Sequence, residues 1–294
     1  MATVVEADLV LDAQAELGEG PVWDATASCL YFVDILRGHV HRFDPGTSAL
    51  RTYHVHQFVS AVAIAERGDL VLAVRNGFAR MDLATEDVRA IAGVESDRPD
   101  RRMNDGKCDA LGRFWAGTMA VDESVRGAGS LYRLDPDGRV HTMLGGVSIS
   151  NGLDWTGDGR VMYYVDSPTQ AIDVFDVDPA SGAIANRRVF VRIPVEQGTP
   201  DGLTLDADGH VWVALWHGGA VHRYAPDGTL NTIVRVPTMC PTSCAFGGSD
   251  LRDLYITTAS ITLSARRRAE QPMAGGLFRC RPGAQGRLPN RFAG

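Results

Sequence analysis

Residues 150–166 read SNGLDWTGDGRVMYYVD, in which Asn151 opens a short apolar stretch, a glycine-containing turn follows, and a second apolar stretch begins after Gly159. Residues 199–216, TPDGLTLDADGHVWVALW, repeat this arrangement with Asp201 in the place of Asn151. The segments between the apolar stretches have the Asp-Gly chemistry of tight turns. Each unit is therefore predicted to be a β-hairpin whose first strand opens on a polar residue.

The same unit recurs along the whole chain. Six polar residues open these units at spacings of 41, 44, 47, 50 and 41 residues: Glu19, Ser60, Asn104, Asn151, Asp201 and Thr242. All-strand repeats of about 40–50 residues are typical of propeller blades with four strands each. The sequence therefore predicts an all-β protein, with one six-bladed β-propeller domain over residues 1–294. Residues 4–11 alternate like a strand, and we expect them to pair with the last blade near residues 276–281 and so close the ring.

This topology places the candidate site at one end of the central channel. The first strand of each blade lines the channel, so the six opening residues should converge there, under loops of which residues 118–129 and 259–275 are the longest. Converging carboxylates need a partner for their charge. Oxygen donors suit Ca²⁺, Mg²⁺ or Mn²⁺, and Zn²⁺ and Fe²⁺ also accept them. The alternative is that the polar groups only cap the channel and bind water.

Composition excludes several other functions. The net charge of −7 argues against a nucleic-acid surface, because phosphate contacts need clustered Lys and Arg. The chain has no apolar run of the roughly 18–20 residues that a membrane helix needs. Residues 1–12 lack the pattern of a signal peptide, and five sparse cysteines favour free thiols. We therefore expect a cytoplasmic protein that binds neither nucleic acid nor membrane.

Histidines offer a weaker signal. The pairs His39/His41 and His54/His56 have i, i+2 spacing that suits metal ligation, but we interpret them as a solvated face of outer strands. His217 lies in a predicted loop over the site, where it could contact a substrate.

Six motifs, in order along nearly the whole chain, resemble those of the regucalcin (senescence marker protein)/gluconolactonase family: LGEGP (17–21), RMNDGK (102–107), GTM (117–119), SNGLDW (150–155), PDG (200–202) and QPMAGG (271–276). The resemblance implies a six-bladed propeller. It also implies that Glu19, Asn151 and Asp201 bind one divalent metal ion, which could be Ca, Zn, Mn, Mg or Fe.

The resemblance further implies substrate contacts from Arg102 and Asn104. The family has a glutamate after its Gly-Thr-Met motif, and the position that we match to it here is Asp122. Its side chain is one methylene shorter, and Glu123 could take its place if the loop shifts. Asp122 is thus a predicted substrate contact whose register is open.

Together these observations predict a lactonase that hydrolyses a sugar lactone to its aldonic acid, acting as a monomer on a small molecule. The metal ion would act as a Lewis acid on the lactone carbonyl, and Asp201 is the candidate general base. A metal-bound water that arrives already acidified is the alternative. Two other functions stay open: a non-catalytic calcium-binding regulatory protein of the regucalcin type, and a paraoxonase- or phosphotriesterase-like hydrolase.

Overall fold

A computed structural model describes residues 2–294, and its strands form six sheets arranged around a central channel. The chain begins with β1 (Thr3–Glu6) and β2 (Asp8–Leu11). Blade 1 consists of β3 (Gly18–Asp24), β4 (Cys29–Asp34), β5 (His39–Asp44) and β6 (Ala49–His54), and blade 2 consists of β7 (Val59–Ile64), β8 (Leu70–Val74), β9 (Gly77–Met81) and β10 (Val88–Gly93). Blade 3 consists of β11 (Arg101–Cys108), β12 (Phe114–Ala120), β13 (Gly129–Leu134) and β14 (Val140–Val147), and blade 4 consists of β15 (Ser150–Trp155), β16 (Val161–Asp166), β17 (Ala171–Val177) and β18 (Ile184–Arg192). Blade 5 contains β19 (Thr199–Leu205), β20 (Val211–Trp216), β21 (Ala220–Tyr224) and β22 (Leu230–Arg235), and blade 6 contains β23 (Pro241–Gly247), β24 (Asp253–Thr258) and β25 (Leu277–Cys280).

The first strand of each blade lies on the channel, and these inner strands pack against one another in a closed ring, β3-β7-β11-β15-β19-β23. Turn chemistry explains why the first two strands of a blade pair. Between β15 and β16, Gly159 has a φ of +69°, which glycine adopts at low cost, and Asp158 Oδ1 accepts a hydrogen bond from the Arg160 N–H at 3.1 Å. The six-bladed propeller and its four-stranded blades are confirmed.

The N-terminal segment closes the ring in two steps. Strand β2 pairs antiparallel with β25, with Asp8 opposite Arg279, and thereby supplies the fourth strand of blade 6. Strand β1 instead runs parallel to β22 and becomes a fifth strand of blade 5. The expected pairing with the last blade is thus correct for the second half of the segment. The first half joins the neighbouring blade because the chain crosses between the two blades at the buried Ala7, whose N–H still donates to the Arg235 carbonyl.

Helix is minor, as the sequence predicts. Across residues 2–294 the α-helical content is α1 (Ala265–Glu270), in the loop between β24 and β25. Its N-terminus is capped by Ser264, whose hydroxyl accepts a hydrogen bond from the Arg267 N–H. No helix among the described residues is long and apolar enough to span a membrane.

The core lies between neighbouring blades and keeps the internal repeat. Trp115 and Trp212 are fully buried, and each donates its indole N–H to an aspartate five residues after the opening residue of its blade. The distances are 2.8 Å to Asp109 and 3.0 Å to Asp206. All five cysteines are buried and free within residues 2–294, as expected for unpaired thiols.

Candidate functional site at the channel mouth

Each inner strand shifts its register against the second strand of its blade at the position of the opening residue. The shifts occur beside Glu19 in β3, Ser60 in β7, Asn104 in β11, Asn151 in β15, Asp201 in β19 and Thr242 in β23. Bulges of this kind redirect a side chain and are common beside binding sites. All six side chains are buried, with 7% exposure or less.

Four of the six opening residues line one cavity of about 390 Å³, here called the channel-mouth cavity: Glu19, Asn104, Asn151 and Asp201, together with Arg102. The other two are used inside the ring. Ser60 Oγ donates to the Met103 carbonyl at 2.7 Å, and Thr242 Oγ1 donates to the Gly18 carbonyl at 2.6 Å. These hydroxyls therefore join neighbouring inner strands rather than face the cavity.

The three predicted metal ligands differ in the hydrogen bonds that their side chains already make. Glu19 Oε2 accepts the Gly20 N–H at 2.8 Å, which leaves Oε1 available. Asn151 donates through Nδ2 to Ser167 Oγ at 2.8 Å, which orients its carbonyl oxygen in the opposite direction. Among the described residues, no group donates a hydrogen bond to either oxygen of the Asp201 carboxylate. A buried carboxylate without a donor needs another partner, and a cation is the natural one.

Electrostatics support the same conclusion. Burial raises the pKa values of Glu19 and Asp201 well above the usual range, and the neighbouring Asp105 charge raises both further. The charge of Glu19 also raises the pKa of Asp201, while Arg102 lowers it. Burial raises the pKa of Asp105 itself to about 6. The carboxylates thus repel one another in the metal-free protein, and this oxygen-only donor set fits one divalent cation.

Arg102 and Asn104 connect to the ligand set through hydrogen bonds. Arg102 Nη1 donates to Asn104 Oδ1 at 2.6 Å and to the Met103 carbonyl at 3.0 Å. Asn104 Nδ2 donates to Asn151 Oδ1 at 3.0 Å and to the Ser150 carbonyl at 2.7 Å. Burial lowers the pKa of Arg102, but a guanidinium remains charged at neutral pH. Arg102 therefore places a fixed positive charge beside the carboxylates.

The loop after β12 presents a different acid from the one that the sequence favours. Asp122 is exposed, and its Oδ1 accepts hydrogen bonds from the N–H and the hydroxyl of Ser124, at 3.0 and 2.7 Å. The structure does not bring this carboxylate into the channel-mouth cavity. Glu123 and Arg126 line the cavity instead. The role of Asp122 stays a prediction, and the geometry favours the alternative, Glu123.

Gln170 and Trp216 line the cavity but were not singled out in the sequence. Gln170 donates to Thr199 Oγ1 at 3.1 Å, but its buried Oε1 has no protein donor within residues 2–294. Trp216 supplies an apolar wall, and His217, which the sequence predicts in a loop over the site, lies beside it with ring centroids 5.4 Å apart. For Gln170 and Trp216, the sequence indicated only a loop after the second strand of a blade. Such a position predicts a location near the channel mouth but not which residue type contacts a ligand there. The long loop over residues 259–275 contributes indirectly, because Thr262 contacts His217.

A second acidic group lies at the opposite end of β19. Potential ligand atoms of Asp206, Asp208 and His210 lie within 4.8 Å of one another. Asp206 Oδ2, however, already accepts hydrogen bonds from Arg223, at 2.6 and 2.9 Å, and from Trp212. Because a guanidinium neutralises that carboxylate, the channel-mouth ligands are the better candidates for a cation.

Comparison with known proteins identifies the family of this chain. The family model described as "SMP-30/Gluconolactonase/LRE-like region" matches residues 17–260. The chain belongs to this family. Its relatives include the Bacillus subtilis protein named "Putative sugar lactone lactonase YvrE", which is 40% identical over 292 residues that cover 99% of both chains. Xenopus laevis regucalcin is 38% identical over 296 residues, again with 99% of both chains covered.

A solved structure shows the same architecture. The calcium-binding protein regucalcin from Agrobacterium tumefaciens superposes with a TM-score of 0.95 at 29% identity, over 99% of both chains. The family resemblance carried by the six motifs is therefore confirmed. Names in this family include both a lactonase and a calcium-binding protein, so the family alone supports a lactonase-type site but leaves the reaction to be argued from the residues.

Proposed function

We propose that this protein hydrolyses a sugar lactone to its aldonic acid with the help of one divalent metal ion. The observation that carries the proposal is that Glu19, Asn151 and Asp201 are buried and line one open cavity, beside the hydrogen-bonded Arg102–Asn104 pair. The lactonase name of the Bacillus subtilis relative supports it. A hydroxyl-rich cyclic ester suits a cavity that combines these polar groups with the flat wall of Trp216.

Glu19, Asn151 and Asp201 would hold the ion, which when bound supplies Lewis acidity toward the lactone carbonyl and compensates negative charge there. The oxygen donors admit Ca, Mg, Mn, Zn or Fe. Hydrogen bonds from Asn104 to Asn151, and from Asn151 to Ser167, keep the amide oxygen in place before any ligand arrives. This preorganisation reduces the cost of ordering the site upon binding.

The chain's own residues bind and orient the substrate. Arg102 uses Nη1 for Asn104 and the main chain, so its remaining N–H groups can donate to substrate oxygens. Glu123 and Arg126 extend over the cavity from the loop after β12, where they can reach the hydroxyls of a sugar ring. Of the two proposed carboxylate ligands, Asp201 accepts no hydrogen bond from any group within residues 2–294, and we assign it the role of general base that takes a proton from the attacking water.

We also propose that the protein is a monomer of the reducing cytoplasm. Five buried free thiols support this compartment, because disulfides are rare there.

A non-catalytic calcium-binding role is the second candidate, and it is favoured by the description of the Agrobacterium tumefaciens protein as calcium-binding. One assay separates the two candidates. Purified protein is stripped with a chelator, reconstituted with each of the five metals, and tested by pH-stat on five- and six-membered sugar lactones and on an aryl ester. We expect lactone hydrolysis that disappears on chelation and returns with metal. Tight calcium binding without turnover of any lactone would favour the regulatory role, and faster aryl ester hydrolysis would favour a paraoxonase-like enzyme.

A further inference from the structure

Half of the histidines in the chain lie together on the outer strands of blade 1. Of the eight histidines, His39 and His41 are on β5, His54 is the last residue of β6, and His56 follows it by two positions. Strands β5 and β6 are antiparallel, with His39 directly opposite His54 and His41 opposite Thr52. Directly opposed residues point to the same side of a sheet, as do residues two apart in one strand. The two sequence pairs are thus one continuous row.

The ring positions show this row directly. Successive ring centroids are 5.7 Å apart for His41 and His39, 4.5 Å for His39 and His54, and 6.2 Å for His54 and His56. The pair in the middle, one residue from each strand, is the closest. Four imidazole rings therefore lie in one row, and the two nearest of them, His39 and His54, meet edge to face.

Most of these rings have free nitrogen atoms. His41 is buried, and its Nδ1 hydrogen-bonds Thr52 Oγ1 at 2.9 Å. By contrast, no protein group within the described part of the chain hydrogen-bonds a ring nitrogen of His39, His54 or His56. His54 and His56 are exposed and His39 is half-buried, so a solute can reach the central pair.

Charges around the pair are balanced. Strand β4 pairs with β5 on the side away from β6, and its last residue, Asp34, lies opposite His39. The Asp34 carboxylate accepts hydrogen bonds from the N–H groups of Glu16 and Leu17. Arg37 lies 3.7 Å from the same carboxylate. One charge of each sign therefore lies beside His39, and the negative charge of Asp34 offsets the repulsion between Arg37 and an incoming cation.

We propose that His39 and His54 form a surface site for a divalent transition-metal ion. Imidazole nitrogen suits Zn²⁺, Ni²⁺ and Cu²⁺, and affinity at such sites rises toward Cu²⁺. The oxygen-only set at the channel mouth favours harder ions, so the two sites differ in their chemistry. The histidine site also stands apart from the proposed lactonase reaction, since it lies on outer strands and not on the channel.

The test uses untagged full-length protein, equilibrated with excess Ca²⁺, and Cu²⁺ as the probe. Calorimetry gives the affinity, and electron paramagnetic resonance detects nitrogen ligands through their hyperfine coupling. We expect one Cu²⁺ with at least two nitrogen ligands. The double substitution His39→Asn with His54→Asn should weaken binding at least tenfold, and the exposed single substitution His54→Asn, which leaves the core intact, should also weaken it.

Two controls make the result specific. His141→Asn removes an exposed histidine elsewhere, which lies 3.0 Å from Asp135, and should leave Cu²⁺ affinity unchanged. Glu19→Gln with Asp201→Asn alters the channel mouth and should also keep the nitrogen-ligated signal. The proposal is overturned if wild-type protein gives no such signal, if His54→Asn binds Cu²⁺ as tightly as wild type, or if His141→Asn weakens binding equally.

Discussion

At the scale of single residues, Glu19 and Asp201 are the two charged ligands of the proposed ion, but their surroundings differ. Glu19 accepts a main-chain hydrogen bond, whereas Asp201 has no donor among the described residues. We expect Glu19→Gln to weaken metal affinity and to recover turnover when metal is saturating. Asp201→Asn should keep a loss of about 10²–10⁴-fold in kcat even with saturating metal, because it removes the general base. Metal titrations of lactone hydrolysis check this, and equal recovery of both variants would withdraw the base assignment.

The acidic loop after β12 gives the second prediction at this scale. Glu123 lines the channel-mouth cavity, while Asp122 is exposed and bound to Ser124. Glu123→Ala should lower kcat/KM about tenfold for polyhydroxylated lactones, since a hydrogen bond to a charged acceptor is lost. A plain butyrolactone, which has no hydroxyls, should be affected much less. Asp122→Ala is the matched control and should leave kcat/KM unchanged for both substrates. A selective loss in Asp122→Ala instead would restore the register that the sequence favours.

At the scale of elements, the inner strands approach one another so closely that glycine is required beside the ligands. A Cβ on Gly152 would lie 2.7 Å from the Asp201 carbonyl oxygen and 2.8 Å from Leu203 Cγ, and would also meet the Leu203 nitrogen. Gly152→Ala should therefore cost about 1–3 kcal/mol in the free energy of unfolding. It should also weaken metal binding, because Asn151 and Asp201 would separate.

Gly145, on β14, is the control for this substitution. An added Cβ there would have nothing within 4 Å, so Gly145→Ala should change stability by no more than about 0.5 kcal/mol. Urea unfolding of both variants measures the difference. If the two variants unfold alike, the tight approach of β15 and β19 does not limit the sequence at this position.

The elements also show how far sequence reasoning reached. The hairpin repeat predicted the blades because a two-residue side-chain period and glycine turns are local features of the chain. The same repeat predicted which end of the strands carries Glu19, Asn151 and Asp201. The repeat could not predict whether Asp122 or Glu123 lines the cavity, because side chains in a loop do not alternate with a fixed period. The separate pairing of β1 with β22 was also out of reach, since parallel and antiparallel partners leave similar patterns in a short strand.

At the scale of the whole molecule, the two ends of the chain are tied into the ring. Strands β1 and β2 join blades 5 and 6, and the C-terminal segment reaches blades 2 and 3 through main-chain hydrogen bonds from Phe292 to Ile64 and from Ala293 to Gly112. A ring closed in this way leaves few sheet edges open. The closed ring also holds the inner strands in place although the carboxylates of Glu19 and Asp201 repel each other. The free-energy cost of burying acidic groups on these strands depends on pH.

That cost gives the last prediction, for the metal-free protein. Asp105 has a pKa of about 6 in the folded protein, above its ordinary 3.8, because burial disfavours its charged form. The folded state then binds more protons than the unfolded state, so this contribution to stability is fully present below about pH 4 and is lost as the pH rises through 6. Asp105→Asn removes the titration. In the presence of a chelator, its melting temperature relative to wild type should therefore rise by a few degrees between pH 4 and pH 7.5. Thermal unfolding at stepped pH measures this, and a difference that stays flat with pH would contradict it. Added divalent metal should raise the Tm of wild type above pH 6 more than that of the Glu19→Gln, Asp201→Asn double variant, because a cation bound by those two carboxylates offsets the repulsion between them.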